Sequence, residues 1–371
     1  MVKTSQLDAI ARVAPVLRGL LAEPTGDDDH PFRPVILKSL AGKQKSRQVL
    51  RFGSLRPEEG DEELRSHLAT LLQTKRKAGS EIISITNVGA FQVVKPKSKP
   101  GDDPRLVGRT VLVTGAAGAI GYGICKGLLE HGCHVAITDL PGERFENFVA
   151  EFRKFDADRI TGVPMDVTDS QSVANAFAKI VATWGGLDIV VVNAGLALAC
   201  PLVEIDLEAF RRLERVKVDG TLLVLAEAGR HFARQNIGGD VILISTKNVF
   251  APGAGFGAYS ATKAAAHQLA RIASLEFAPL NVRVNMVAPD AVFSGGAHKS
   301  GLWAEVGPGR MKARGLDEKG LEEYYRNRNL LKARVTTEHV ANAVLFFATR
   351  QTPTTGACIP VDGGLPDATP R

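Results

Sequence analysis

Between Gly101 and Arg371, short apolar runs alternate with longer amphipathic stretches, and nothing else in the chain constrains its fold as tightly. The runs are TVLVT (110–114), HVAITD (134–139), ITGVPMD (160–166), LDIVVVNAG (187–195), DVILIS (240–245), NVRVNMVAP (281–289) and CIPVDGG (358–364). Strands that are apolar along their whole length must be covered on both faces, as in a parallel sheet. The helical-length segments between them supply the covers. The expected fold class is therefore α/β over 101–371, a doubly wound parallel sheet of about seven strands.

The run KPKSKPGDDP (Lys95 to Pro104) mixes Pro, Gly and charge, which suits neither helix nor strand and reads as a linker. It sets apart residues 1–100 as a small N-terminal appendage with its linker. There Ile10 to Leu21 is periodic enough for a helix, and EIISITN and AFQVV look like strands. No recognisable chemistry lies in this part. A second irregularity is the stretch at about 295–333, between the sixth strand and the last helix. Excursions beyond strand C-termini carry substrate-covering elements in open α/β sheets, but a plain surface insertion fits equally.

The net charge of +6 suggests a polyanion partner until it is located. Residues 1–100 hold 17 Lys+Arg against 11 Asp+Glu, whereas 101–371 hold 29 of each. A neutral body with a mildly basic head argues against nucleic acid as partner, because such binding rests on clustered phosphate contacts. The four cysteines (Cys125, Cys133, Cys200, Cys358) have no metal-ligand spacing, so no metal is expected. No apolar stretch approaches the ~20 residues of a membrane span, and the N-terminus lacks a secretory signal. A cytoplasmic setting is expected.

Thr114 to Gly121 (TGAAGAIG) follows the first strand and opens the first helix. A dinucleotide site needs small residues there: the chain turns tightly, and the helix N-terminus must offer its free amides to a pyrophosphate. Asp139 ends the second strand, where a carboxylate accepts the adenosine ribose hydroxyls and repels a 2′-phosphate. Ala117, before Gly118, offers no basic group for such a phosphate. NAD is the expected cofactor.

Tyr259 and Lys263 are one helical turn apart in AYSATKAAAHQLARIASLEF. A phenol with an ordinary pKa of about 10 is a poor base at neutral pH. A nearby ammonium and an oxidised nicotinamide would both favour the phenolate. Such a Tyr exchanges a proton with an alcohol or carbonyl while hydride moves.

TGAAGAIG, NAG at 193–195, YSATK and the closing VDGG, in this order, resemble the short-chain dehydrogenase/reductase family over about 105–366. The resemblance implies a Rossmann-type fold and a homo-oligomer, dimer or tetramer. It places Gly115, Ala117, Gly118, Ile120, Gly121 and Leu140 against the cofactor, with Asp166 and Val167 at the adenine. Asn193, Ala194 and Gly195 would support the sheet beneath it, and Pro289, Val292 and Ser294 would touch the carboxamide. It makes Tyr259 the acid/base, with Lys263 bonding the ribose and lowering the Tyr259 pKa. STKNVFAPGAGFGAYSATK, PDAVF, GLWAEVGPGRM and EEYYRNRNLLK look like the dehydrogenase half of bifunctional rhamnulose-1-phosphate aldolase/alcohol dehydrogenases. LAEPTGDDDHPFRPVIL (21–37) is similar to a stretch of the aldolase half, so the head looks like a non-catalytic aldolase remnant.

Three positions depart from the family pattern. Its catalytic Ser aligns with Thr246, whose hydroxyl can still bond the substrate oxygen. Its Asn, which helps hold a proton-relay water, aligns with Lys217. The usual Gly after Pro289 is Asp290, which either binds polyol hydroxyls or caps the following turn. Lys217, Asn248, Asp290 and Phe293 are the substrate-contact candidates. The expected function is NAD-dependent interconversion of an alcohol and a carbonyl on a small polar, lactaldehyde-like hydroxy-aldehyde, polyol or sugar derivative. The alternative is an NAD(H)-binding regulator with a degenerate site.

Overall fold

The computed structural model describes residues 4–42, 49–55, 59–75 and 81–365. The chain opens with helix α1 (Thr4–Leu21), starting six residues before the periodic segment read from the sequence. A two-strand ribbon, β1 (Glu23–Pro24) with β2 (Phe32–Arg33), follows. Strands β3 (Ile36–Leu40) and β4 (Val49–Ser54), helix α2 (Asp61–Lys75), and strands β5 (Ile82–Thr86) and β6 (Gly89–Val94) complete the head. Its sheet has the order β3-β6-β5-β4, antiparallel except for the β4–β5 pair. Leu64 and Leu68 of α2 and Leu17 of α1 close a core with Leu37, Phe52 and Phe91 of the sheet.

Residues 95–109 carry neither strand nor helix. The body then alternates: β7 (Thr110–Val113), α3 (Ala119–Glu130), β8 (His134–Ile137), α4 (Glu143–Arg153), β9 (Ile160–Gly162), α5 (Ser170–Trp184) and β10 (Ile189–Val192). After it come α6 (Leu207–Glu214), α7 (Gly220–Gln235), β11 (Gly239–Ile244), α8 (Gly257–Glu276) and β12 (Val282–Pro289). A two-strand ribbon, β13 (Ser294–Gly295) with β14 (His298–Lys299), leads into α9 (Gly301–Arg314) and α10 (Glu318–Asn327). Helix α11 (Thr337–Ala348) and β15 (Cys358–Val361) end the body.

The seven strands form one parallel sheet in the order β15-β12-β11-β10-β7-β8-β9. This is the doubly wound Rossmann-like arrangement expected from the alternating runs. Successive side chains of one strand point to opposite faces. Val111 and Val113 of β7 accordingly enter the core under α3, α4 and α11, while Leu112 enters the one under α5, α7 and α8. The order reverses between β7 and β10, where the strand C-termini part and leave a crevice.

The head seals the opposite end of this sheet. Arg18 of α1 is fully buried and places a bidentate grip on Asp188, at 2.9 and 2.7 Å, just before β10. The same guanidinium donates to Gln235 Oε1 at the end of α7 and to the carbonyl of Val35. Asp188 also accepts from the amide and hydroxyl of Thr110. Gly19 makes the close approach possible, since a Cβ there would lie 1.9 Å from the carbonyl oxygen of Gln235. Ile36 of the head sits in a body core, and Val181 of α5 in the head's core. Among the described residues no helix is long and apolar enough to cross a membrane.

Candidate active site

The crevice at the C-terminal ends of the strands opens into a cavity of about 880 Å³. One wall is the turn from β7 into α3. A Cβ on Gly115 would lie 2.6 Å from the Cα of Ala194, and one on Gly121 would lie 2.3 Å from the carbonyl oxygen of Ala116. The turn therefore accepts no larger residue at either place. Beside Gly118 a Cβ would meet nothing closer than 3.8 Å, so the helix N-terminus is open to the cavity. Asn193 braces this turn by donating to the carbonyls of Thr114 and Gly115 at 3.0 and 2.8 Å. A backbone cradle of this shape, at a helix N-terminus and a topological switch point, fits the pyrophosphate of a dinucleotide.

Gly115, Gly118, Ile120 and Gly121 line the cavity, as do Asn193, Ala194 and Gly195. Ala117 stands behind the wall: its amide donates to Asp139 at 2.9 Å, and its carbonyl accepts from Arg144. Asp139, Leu140, Asp166 and Val167 line the adenosine end. The other Asp139 oxygen accepts the amide of Leu140. Arg144, in the first turn of α4, also faces this end and was missed. Its signal was a basic residue five positions beyond Asp139.

Tyr259 and Lys263 share the buried face of α8, and Thr246 follows β11. All three line the cavity with Asn248, Pro289 and Val292. Lys263 donates to the carbonyl of Ile244 at 2.6 Å, and burial brings its pKa down to about 8. Burial pushes the Tyr259 phenol up to about 12, although a hydrogen bond with Thr246 pulls the other way. The expected lowering of the Tyr259 pKa by Lys263 is thus not present in this structure. Ser245, next to Thr246, is taken by His267 at 3.0 Å.

Lys217 points inward. It lies in a π-helical turn, Arg215–Asp219, between α6 and α7; such turns recur where a helix must present a functional group. Its Nζ stands 3.3 Å from the centroid of the Tyr259 ring and has no hydrogen-bond partner among the described residues. Burial and repulsion from Lys263 hold its pKa well below the usual lysine range.

Three expectations change. Asp290 lines the cavity with both its oxygens accepting from Arg328, an ion pair the sequence reading did not foresee, and among the described residues it does not cap the following turn. Phe293 stacks on Trp303 at 4.5 Å and borders a smaller cavity of about 190 Å³ rather than the large one. Ser294, paired with Lys299 in the β13–β14 ribbon, borders the same small cavity and does not line the large one. Lys247, Arg310 and Arg314, by contrast, face the large cavity.

The profile described as short chain dehydrogenase matches residues 109–304, and the chain belongs to that family, whose members are oxidoreductases with a nicotinamide cofactor. It is 37% identical over 265 residues to an uncharacterized oxidoreductase, YuxG, of Bacillus subtilis strain 168. That match takes in 71% of this chain and only 38% of the relative, so the chain spans about two-fifths of that protein. It is 33% identical over 201 residues to sorbitol dehydrogenase of Cereibacter sphaeroides, with 54% of this chain and 76% of that one covered. Among solved structures, sorbitol-6-phosphate 2-dehydrogenase SrlD from Erwinia amylovora superposes with a TM-score of 0.64 at 27% identity, covering 69% of this chain and 98% of that one. The likeness of residues 21–37 to an aldolase has no counterpart in these matches.

Proposed function

We propose that the protein is an NAD-dependent oxidoreductase interconverting an alcohol and a carbonyl on a small polyol or sugar derivative. The observation that carries this reading is the convergence of Tyr259, Lys263 and Thr246 on the cavity that the glycine turn opens. Gly115, Gly118 and Gly121 would hold the pyrophosphate, Asp139 the adenosine ribose and Lys263 the nicotinamide ribose. Asp139 favours NAD, because a 2′-phosphate would meet its carboxylate. A bound nicotinamide supplies the hydride acceptor or donor. Tyr259 would take the proton from the substrate hydroxyl, or return it to a carbonyl oxygen, and Thr246 would fix that oxygen by a hydrogen bond. With the phenol near 12 in the chain alone, its activation awaits the positive charge that an oxidised cofactor brings.

Sugar alcohols suit this reading, since a sorbitol dehydrogenase is among the relatives. Residues 4–94 are assigned a structural, non-catalytic part, and an aldolase ancestry is not required for it. A homo-oligomer in the cytoplasm is the expected state. The competing reading, a cofactor-binding regulator, rests on Lys217 at the family's Asn position. Tyr259→Phe separates the two: turnover of polyols should fall by ~10²–10⁴ with NADH binding, followed by fluorescence, unchanged. Equal turnover in the variant would remove Tyr259 from the chemistry. Tight NADH binding without turnover of any polyol or hydroxy-aldehyde by the parent chain would favour the regulator.

A further inference from the structure

Three arginines of the 295–333 stretch, Arg310, Arg314 and Arg328, line the large cavity. Outside it, Lys299 pairs with Glu318 at 3.1 Å and Arg326 with Glu323 at 2.7 Å. Two of the three inside stand differently. Arg310 lies 4.3 Å from the Phe256 ring centroid and donates to the carbonyl of Ala254; Arg314 lies 4.7 Å from that of Tyr324. Neither has a carboxylate partner among the described residues. Lys247 joins them from the loop after β11, donating to the carbonyl of Ala251; burial and the nearby Arg328 and Arg310 disfavour its charge, against the attraction of Asp290 and Asp362. Arg328 is taken by Asp290, yet its Nε is buried without a partner. Among the described residues, the acids that line the cavity are Asp139 and Asp166 at the adenosine end, Asp290, and Glu305.

Such a concentration of half-buried positive charge is unfavourable unless an anion completes it. The position also fits the proposed chemistry. Arg310 touches Phe256, whose ring is 5.9 Å from that of Tyr259, so the guanidinium lies within about 10 Å of the Tyr259 ring. The adenosine end, marked by Asp139 and Asp166, is walled by other elements, β8, α4 and the loop after β9.

We propose that the substrate carries an anionic end group, a phosphate monoester or a carboxylate, seated among Lys247, Arg310 and Arg314 while its reacting carbon stands at Tyr259. The proposal rests on the oxidoreductase reading and narrows its substrate class. Asp290 then holds Arg328 in place beside the seat. The guanidiniums of Arg310 and Arg314, pre-positioned on aromatic rings, can meet two anion oxygens each.

The test uses the full chain with saturating NAD and matched triplets: a short polyol, its terminal phosphate monoester and its terminal aldonate. One of the two anions should exceed the neutral member in kcat/KM by about 30-fold or more, and added salt should shrink the preference. Which anion wins separates phosphate from carboxylate. The double variant Arg310→Gln with Arg314→Gln should lower that ratio by about 30-fold, equivalent to ~2 kcal/mol, chiefly through KM. Preference for the neutral polyol, or a ratio unchanged in the variant, overturns the anion seat and leaves the oxidoreductase reading intact. An NADH affinity that falls in the variant as far as the substrate preference does overturns it too, since the cations would then serve the cofactor. If no triplet turns over, calorimetric binding of the phosphate ester and the aldonate to NADH-loaded protein decides. Binding of either that the variant loses upholds the seat, and absence of both refutes it.

Discussion

The two ends of the parallel sheet each bury a basic side chain, and they treat it in opposite ways. At the N-terminal ends, Arg18 donates to Asp188, Gln235 and Val35, so its charge is compensated and its N–H groups are used. At the C-terminal ends, Lys217 is as deeply buried, but its Nζ has no hydrogen-bond partner among the described residues and lies over the face of Tyr259. A buried charge is tolerated when paired and hydrogen-bonded, and an unpaired amine in the same surroundings surrenders its proton instead. One end is thus built for cohesion; the other keeps unsatisfied groups where a ligand must enter.

Breaking the satisfied end should have the largest effect. Arg18→Ala removes the bidentate partner of buried Asp188, leaving it Thr110 and the more distant Arg109, at 3.9 Å, and should destabilise the chain by ~3 kcal/mol, read from urea unfolding midpoints. A loss near zero would mean that the head merely rests on the body.

The pH dependence of the two ends sharpens the contrast. Asp188 is held below its ordinary range, chiefly through Arg18, against the opposing effect of burial. Its contribution is present above the ordinary carboxylate pKa and is lost as pH falls through the folded value. Lys263, at about 8 against 10.5, shifts because burial disfavours its charged form, so its contribution is a cost at neutral pH and its window lies far above that of Asp188. The unfolded chain binds the extra proton between those values, so stability rises with pH across that window, by up to ~3 kcal/mol. The check is the stability difference between the parent chain and Lys263→Met from pH ~7 to ~10, which cancels opposed contributions from buried thiols. A flat difference would contradict the depressed lysine.

The smallest effect expected is a gain. Lys217→Met replaces an unpartnered amine by an apolar side chain of similar length and should stabilise by ~1–2 kcal/mol in the same urea assay. A loss would show that the amine has an important partner, and the comparison between the two ends would fail.

The body was largely legible in the sequence because each of its strands is apolar throughout and sits between helices. The cradle was legible for the same local reason: TGAAGAIG lies in one turn, and Tyr259 and Lys263 in one helix. The head was read less well. Helix α2 (Asp61–Lys75), with Leu64, Leu68 and Leu72 at helical spacing, went unread, as did β3 and β4. The Arg18–Asp188 pair spans 170 positions, and no local pattern announces it. Asp290 shows the same limit, because its partner Arg328 comes from beyond α10. Ser294 was assigned on the family resemblance alone, which carries no information about the ribbon that follows Pro289 in this chain.

Helix α7 gives the two ends a common skeleton. Its first residue follows the π-helical turn that carries Lys217, and its last, Gln235, is gripped by Arg18. At 1.5 Å per residue, this is a rod of roughly 24 Å running from the reactive chamber to the floor of the molecule. Trimming away the first helix would therefore unmoor the foot of the strut that aims an amine at Tyr259.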